Sequence, residues 1–194
     1  PFYTIVFNIL FHSFQNHSSL KIHFLRILGL HRPFQEGSVN QETVPGIQDQ
    51  PSSTMTTEIV ERITRSFESQ SMMKTLGAKI HSIEKGKVVI EAPILPTTLQ
   101  QQGFGHAGLS FSIGDSAAGY SALTMIEPDL EVMTAEIKMN LLSPADGDFL
   151  RAEGRVVKSG KRLIVVTSEV HAHKDGNSKL IALMQGTMVP VPLS

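Results

Sequence analysis

Residues 101–124, QQGFGHAGLSFSIGDSAAGYSALT, decide the fold. The stretch sets one His and one Asp nine residues apart among Gly, Ala and Ser, and it contains no Lys, Arg or Glu. A surface helix normally carries apolar residues on one face and charges on the other. This composition instead predicts a helix from about 107 to 125, packed closely on most sides, with Asp115 as its one charge. Gly108, Gly114, Ala117, Ala118, Gly119 and Ala122 would let strands pass close around it.

The flanking segments supply the other layer. Residues 56–77, TTEIVERITRSFESQSMMKTLG, open with Thr at a capping position and carry Ile59, Ile63, Phe67 and Met73 near helical spacing, with Gly77 as the stop. Residues 78–94 form two short β-like runs around Lys85-Gly86. After Pro128 the pattern is strand-like to the end, in four runs separated by Asp146-Gly147, Ser159-Gly160 and Asp175-Gly176-Asn177, turn residues that suit antiparallel hairpins. The order is helix, two strands, long helix, four strands. A sheet must cover one face, and the small-residue helix is the only candidate long enough. The expected class is α+β, a curved antiparallel sheet wrapped around one long central helix.

Composition excludes several functions. The chain has 194 residues, a net charge of −1 and 18% charged residues, so no strong field favours nucleic acid or an anionic membrane. It has no cysteine, which removes disulfides, thiolate nucleophiles and Cys-ligated zinc together. His171 and His173 share a strand face, but no carboxylate or third His sits at ligand spacing, so they read as solvent-facing or ligand-gating and no metal is expected. No P-loop, dinucleotide fingerprint or Gly-x-Ser-x-Gly elbow occurs.

Residues 1–54 differ from the rest. All eight Met lie at or after Met55, and no Asp or Glu precedes Glu36. An apolar run at 1–11 is far shorter than the roughly 20 residues of a membrane helix. The segment reads as an N-terminal extension or linker, probing three alternatives: an extension upstream of a start at Met55, which is favoured, a targeting peptide, or a docking arm. The functional domain is expected at 55–194, in the cytoplasm, or in an organellar matrix if residues 1–54 are a targeting peptide.

Elementary geometry adds one constraint. A helix starting at Ala107 presents free N–H groups and a positive dipole end, which suit a developing oxyanion. Asp115 lies about 12 Å further along the axis at 1.5 Å per residue. One carbonyl cannot touch both groups of the same helix, so a site that uses both implies two chains. The plainer readings stand beside this one: Asp115 as a solvated charge or a partner for a Lys, and His106 as a residue that caps its own turn.

The pattern Gln100, Gly103, His106-Ala107-Gly108 and Asp115 resembles that of the hotdog-fold acyl-CoA thioesterases of the PaaI-like branch, in which an Asp follows the His by nine residues. Three further landmarks agree: TAEIKMNLLSP from Thr134, the KSGKRLIVV hairpin, and ALMQGTMV. The resemblance implies Asp115 as the catalytic carboxylate, general base or nucleophile, and the Ala107 N–H of a second subunit as oxyanion donor. It also implies His106 as a brace for that loop, Gln100 at the family's Asn position, and Thr134 as a hydroxyl near the carboxylate. Gln at 100 and Ala at 107 depart from the usual Asn and Gly, which bears on substrate more than on reaction. Gly108 and Phe111 are further candidate substrate residues, as are Lys158, Lys161 and Arg162 for the CoA phosphates, though these three equally suit a solvated hairpin. Phe111, Tyr120 and Met133 or Met139 are expected to line the acyl pocket. The resemblance implies hydrolysis of an aryl- or medium-chain acyl-CoA, no cofactor beyond CoA as part of the substrate, and a homodimer assembling into a homotetramer. Two alternatives are an enoyl-CoA hydratase on the same fold and a non-catalytic acyl-CoA binding domain. The first is disfavoured because nine residues at about 100° each turn His106 and Asp115 to opposite sides.

Overall fold

A computed structural model describes residues 56–193. The segment 1–54, with the boundary and targeting readings attached to it, lies outside the described residues. Two helices come first, α1 (Thr57–Ser69) and α2 (Ser71–Thr75), then strands β1 (Lys79–Glu84) and β2 (Lys87–Pro93). A single 3₁₀ turn (Pro96–Thr98) leads to α3 (Ala107–Leu123). Four strands follow: β3 (Leu130–Leu141), β4 (Phe149–Ser159), β5 (Ile164–Lys174) and β6 (Asn177–Pro192). They form one antiparallel sheet in the order β1-β2-β4-β5-β6-β3. This is the expected hotdog arrangement, with α3 held in the concave face.

Alternation of apolar and polar residues turns one side of each strand toward α3. Ile90, Leu150, Val170 and Ala182 are fully buried there, against Ile113 and Ala117 of the helix. The small residues of α3 are what this packing needs. A Cβ at Gly154 of β4 would come within 2.2 Å of the Ala117 backbone, so strand and helix touch main chain to main chain. The expected role fails at Gly119, where an added Cβ meets nothing within 4 Å. That position faces an open cleft and not a strand.

Register shifts at four points bend the sheet, among them one on β3 between Thr134 and Glu136. The β5–β6 hairpin turns on Asp175 (φ 50°) and Gly176 (φ 77°), the two left-handed residues of the tightest hairpin turn. The convex face carries a row of cross-strand partners, Lys79, Glu91, Arg151 and His171. Glu91 is nearly buried there, held by Arg151 Nε at 2.9 Å, Lys79 Nζ at 3.4 Å and His81 Nδ1 at 3.3 Å.

One helix expected over 56–77 is two. Gln70 adopts an extended conformation (φ −74°, ψ 107°) and separates α1 from α2. Thr56 does occupy the N-cap of α1, but its hydroxyl makes no capping bond. Gly77 has the positive φ (63°) of a residue just past a helix.

Candidate active site

The site starts at the entry to α3. The His106 N–H donates to the Thr98 carbonyl (2.8 Å) and the Gly105 N–H to the Ala145 carbonyl (2.9 Å), which pins the chain just before the helix. His106 is the N-cap, and its Nδ1 accepts the Gly108 N–H at 2.8 Å. A Cβ on Gly108 would stand 3.0 Å from that nitrogen, so glycine leaves room for the ring to fold over the turn. Because Nδ1 accepts, the neutral imidazole carries its hydrogen on Nε2. The Leu109 N–H reaches the His106 carbonyl (2.9 Å), while the Ala107 N–H has no acceptor among the described residues. The capping reading of His106 and the oxyanion reading of Ala107 are therefore compatible: the ring occupies one helix-end donor and leaves another open at the positive end of the dipole.

This end of α3 opens on a cleft of about 530 Å³ whose wall includes Gln100, Phe104, His106, Ala107, Leu141 and Ser143. The Gln100 side chain turns back on its own loop, its Oε1 accepting the Gln102 N–H. The Gln100 backbone N–H donates to the Phe104 carbonyl at 2.8 Å.

Asp115 opens on a different cleft, of about 370 Å³, which it shares with Ser66, Gln70, Tyr120, Glu131 and Thr134. The Thr134 hydroxyl donates to Asp115 Oδ1 at 3.0 Å and lies 3.3 Å from Met188 Sδ. Burial pushes the Asp115 carboxyl above its ordinary value, and the Thr134 bond offsets part of that rise. A carboxylate made more basic and held by one hydroxyl is suited to take a proton from water.

The structure thus brings Gln100, His106 and Ala107 together at one end of α3, and Asp115 with Thr134 at another cleft. Phe111, 38% exposed, lines neither cleft. Tyr120 lines the Asp115 cleft, whereas Met139 packs on the core and exposed Met133 stays outside that wall. Lys158, Lys161 and Arg162 are exposed at the β4–β5 hairpin, and none pairs with a carboxylate among the described residues. His173 is not solvent-facing: its ring stacks on Phe149 at 4.6 Å and its Nε2 is buried. Sequence reasoning missed Ser66, Gln70 and Glu131. Ser66 lies on α1 and Gln70 at the break that follows it, and only their packing against Tyr120 of α3 brings both to the Asp115 cleft.

Among the described residues, no helix is long and apolar enough to cross a membrane. The family model of the thioesterase superfamily matches residues 102–179, which include α3 and strands β3, β4 and β5. A protein of Saccharolobus solfataricus that carries only an esterase name is 32% identical over 61% of this chain and 82% of its own length. A 1,4-dihydroxy-2-naphthoyl-CoA hydrolase of Listeria monocytogenes is 29% identical over 60% of this chain and 93% of its own. The crystal structure of a thioesterase family protein from Silicibacter pomeroyi superposes with a TM-score of 0.68 at 36% identity, covering 70% of this chain and 99% of that one.

Proposed function

The chain belongs to the thioesterase superfamily, and from this site we propose that it hydrolyses an aryl- or medium-chain acyl-CoA to the free acid and CoA, in the manner of the PaaI-like branch. The observation that carries the reading is the pairing of a basic, Thr134-held carboxylate at Asp115 with an unclaimed N–H at Ala107. Asp115 takes a proton from water as the water oxygen attacks the thioester carbon. The carbonyl oxygen becomes an oxyanion bound by the Ala107 N–H and the dipole of α3. Collapse of the tetrahedral intermediate breaks the C–S bond, and the proton passes from Asp115 to the departing thiolate. The His106 Nε2–H helps hold the carbonyl, and the Gln100 amide, once turned from Gln102, helps hold the water. Lys158, Lys161 and Arg162 hold the CoA phosphates. The Listeria relative, named as a hydrolase of an aryl-CoA, supports an aryl acyl group.

Two copies make one site. Ala107 and Asp115 lie on separate clefts, about 12 Å apart along the helix axis. β3 supplies the joint: it is a 12-residue edge strand with Met133 61% exposed, and Thr134 sits on it. Such a long edge invites antiparallel pairing with its own copy. That brings each Asp115 toward the partner's helix entry, and dimers of this kind assemble further into a tetramer.

The test is thiol release from a panel of acetyl-, hexanoyl-, palmitoyl- and phenylacetyl-CoA by wild type, Asp115→Ala and Ala107→Pro. Proline is tolerated at the first helical position, and His106 already has the extended backbone (ψ 143°) that must precede it, so this change removes the N–H and keeps the helix start, at the cost of two added ring carbons. Each variant alone is expected to be inactive. Refolded together they regain about a quarter of wild-type activity, because half the dimers are mixed and each mixed dimer has one intact site. Full activity in Asp115→Ala, or no recovery on mixing, overturns the reading.

A further inference from the structure

In and just after α3, three hydroxyls turn back onto the helix backbone. Ser112 donates to the Gly108 carbonyl at 2.7 Å, Ser121 to Ala118 at 2.7 Å and Thr124 to Ser121 at 2.6 Å. Ser110 does not. The residue is 1% exposed, and its Oγ is buried with no hydrogen-bond partner among the described residues. The acceptor a helical serine would take, the carbonyl four residues back, is that of His106, which the Leu109 N–H reaches at 2.9 Å. A buried hydroxyl left without a bond costs stability, so its retention asks for a reason. Ser110 lies in the wall of the cleft at the entry to α3, beside Gly105, Ala107 and Ala145, whose small side chains leave room before it.

Helix geometry aims the group. Ser110 stands three residues beyond Ala107, about 4.5 Å along the axis and on nearly the same side. Helical side chains lean back toward the N-terminus, so the hydroxyl hangs over the turn that opens at Ala107. The Ala107 N–H also lacks an acceptor among the described residues. Two unclaimed donors thus share one end of one cleft.

We propose that the Ser110 hydroxyl is a further donor to the thioester carbonyl, acting beside the Ala107 N–H on the oxyanion that forms there. The proposal rests on the thioester-hydrolase reading of this site. Ser110 donates a hydrogen bond and keeps its proton throughout. It is not placed as a nucleophile, because His106 Nδ1 already accepts the Gly108 N–H and Asp115 opens on the other cleft. Burial gives the bond its effect: water does not compete for the hydroxyl, and the low dielectric strengthens its attraction to a charged oxygen. The bond tightens as the carbonyl oxygen gains charge, so it serves the transition state more than the bound thioester.

The test sets kinetics against stability. Ser110→Ala is expected to lower kcat on the best acyl-CoA of the panel roughly a hundredfold to a thousandfold, with KM little changed. The same variant should melt no lower than wild type, because it deletes a hydroxyl that has no bond to lose. Ser110→Cys keeps the volume with a weaker S–H donor, and its kcat should fall between the two. Ser168 of β5 is the control: its hydroxyl is also buried without a partner among the described residues, and it lines neither cleft. Ser168→Ala should likewise melt no lower, and should keep the wild-type kcat. An unchanged kcat in Ser110→Ala, or one that falls only together with the melting temperature, overturns the proposal. A ketone analogue of the acyl-CoA, with CH2 in place of sulfur and ¹³C at the carbonyl, separates this proposal from the hydrolase reading. Bound to wild type, its carbonyl resonance should move downfield, and part of that shift should be lost in Ser110→Ala. That loss without turnover of any thioester keeps the Ser110 contact and removes the hydrolase reading. The same shift in both proteins, or none in either, removes the contact whatever the turnover.

Discussion

The Thr134 hydroxyl donates to Asp115 Oδ1 at 3.0 Å, across from an edge strand to the central helix. This bond favours the ionised carboxylate, whereas burial favours the neutral one and wins. If the ionised form is the base, kcat/KM rises with pH through a raised carboxyl pKa. Thr134→Val removes the donor and should move that acid limb to higher pH, read from a pH–rate profile. Asp115→Asn should lower kcat about a thousandfold. A raised native pKa means that the ionised carboxylate costs stability at neutral pH, and that this cost fades as pH falls through the native value. Asp115→Asn should accordingly melt higher than wild type at pH 7, with the advantage shrinking in acid.

His106 serves both the helix and the cleft, and two substitutions separate the roles. His106→Ala removes the cap and should cost about 1 kcal/mol in urea unfolding. His106→Asn keeps an N-cap acceptor and should restore most of that loss. Both lack the Nε2–H, so kcat should fall alike in both. Recovery of kcat in the Asn variant would reduce His106 to a cap.

Gly119 has open space where its side chain would be. In a helix interior, Gly119→Ala should stabilise the fold by about 0.5–1 kcal/mol. Gly119→Met fills the cleft beside Asp115 and should raise KM for aryl acyl-CoAs more than for acetyl-CoA. Equal effects on all substrates would place the acyl group elsewhere.

On the convex face, burial pushes the Glu91 carboxyl up, but the bonds from Arg151 and Lys79 and the nearby His81 more than offset it, leaving its pKa below the ordinary value. A lowered native pKa stabilises the fold above the unfolded carboxyl pKa, and that stability is lost as pH falls through the native value. Arg151→Ala removes the hydrogen-bonded partner of the carboxylate and leaves it only Lys79 and His81, which should cost about 1–3 kcal/mol at pH 7. The deficit should narrow in acid, as followed by thermal melts between pH 7 and pH 3.

Much of the architecture was legible along the chain because it rests on local periodicity. A run of small residues without Lys or Glu announced a helix enclosed on most sides, and the alternating strands after Pro128, punctuated by Gly turns, announced an antiparallel sheet around it. The spacing of His106 and Asp115, at a fixed rise per residue, already forbade one carbonyl from meeting both on one helix. Sequence alone determined that much: most of the element order, the entry to α3, and that one carbonyl cannot meet Ala107 and Asp115 of the same helix.

The tertiary structure decided the rest, for the reason that contacts across dozens of residues leave no local period. It turned Gly119 into the floor of a cleft and broke the first helix at Gln70. It carried Ser66 and Gln70 onto Tyr120, 54 and 50 residues away. A shift in the β3 ladder beside Thr134 accompanies the bond from that hydroxyl to Asp115. Residue types set what each group is able to do, and the packing of α1 and β3 on α3 set which groups meet.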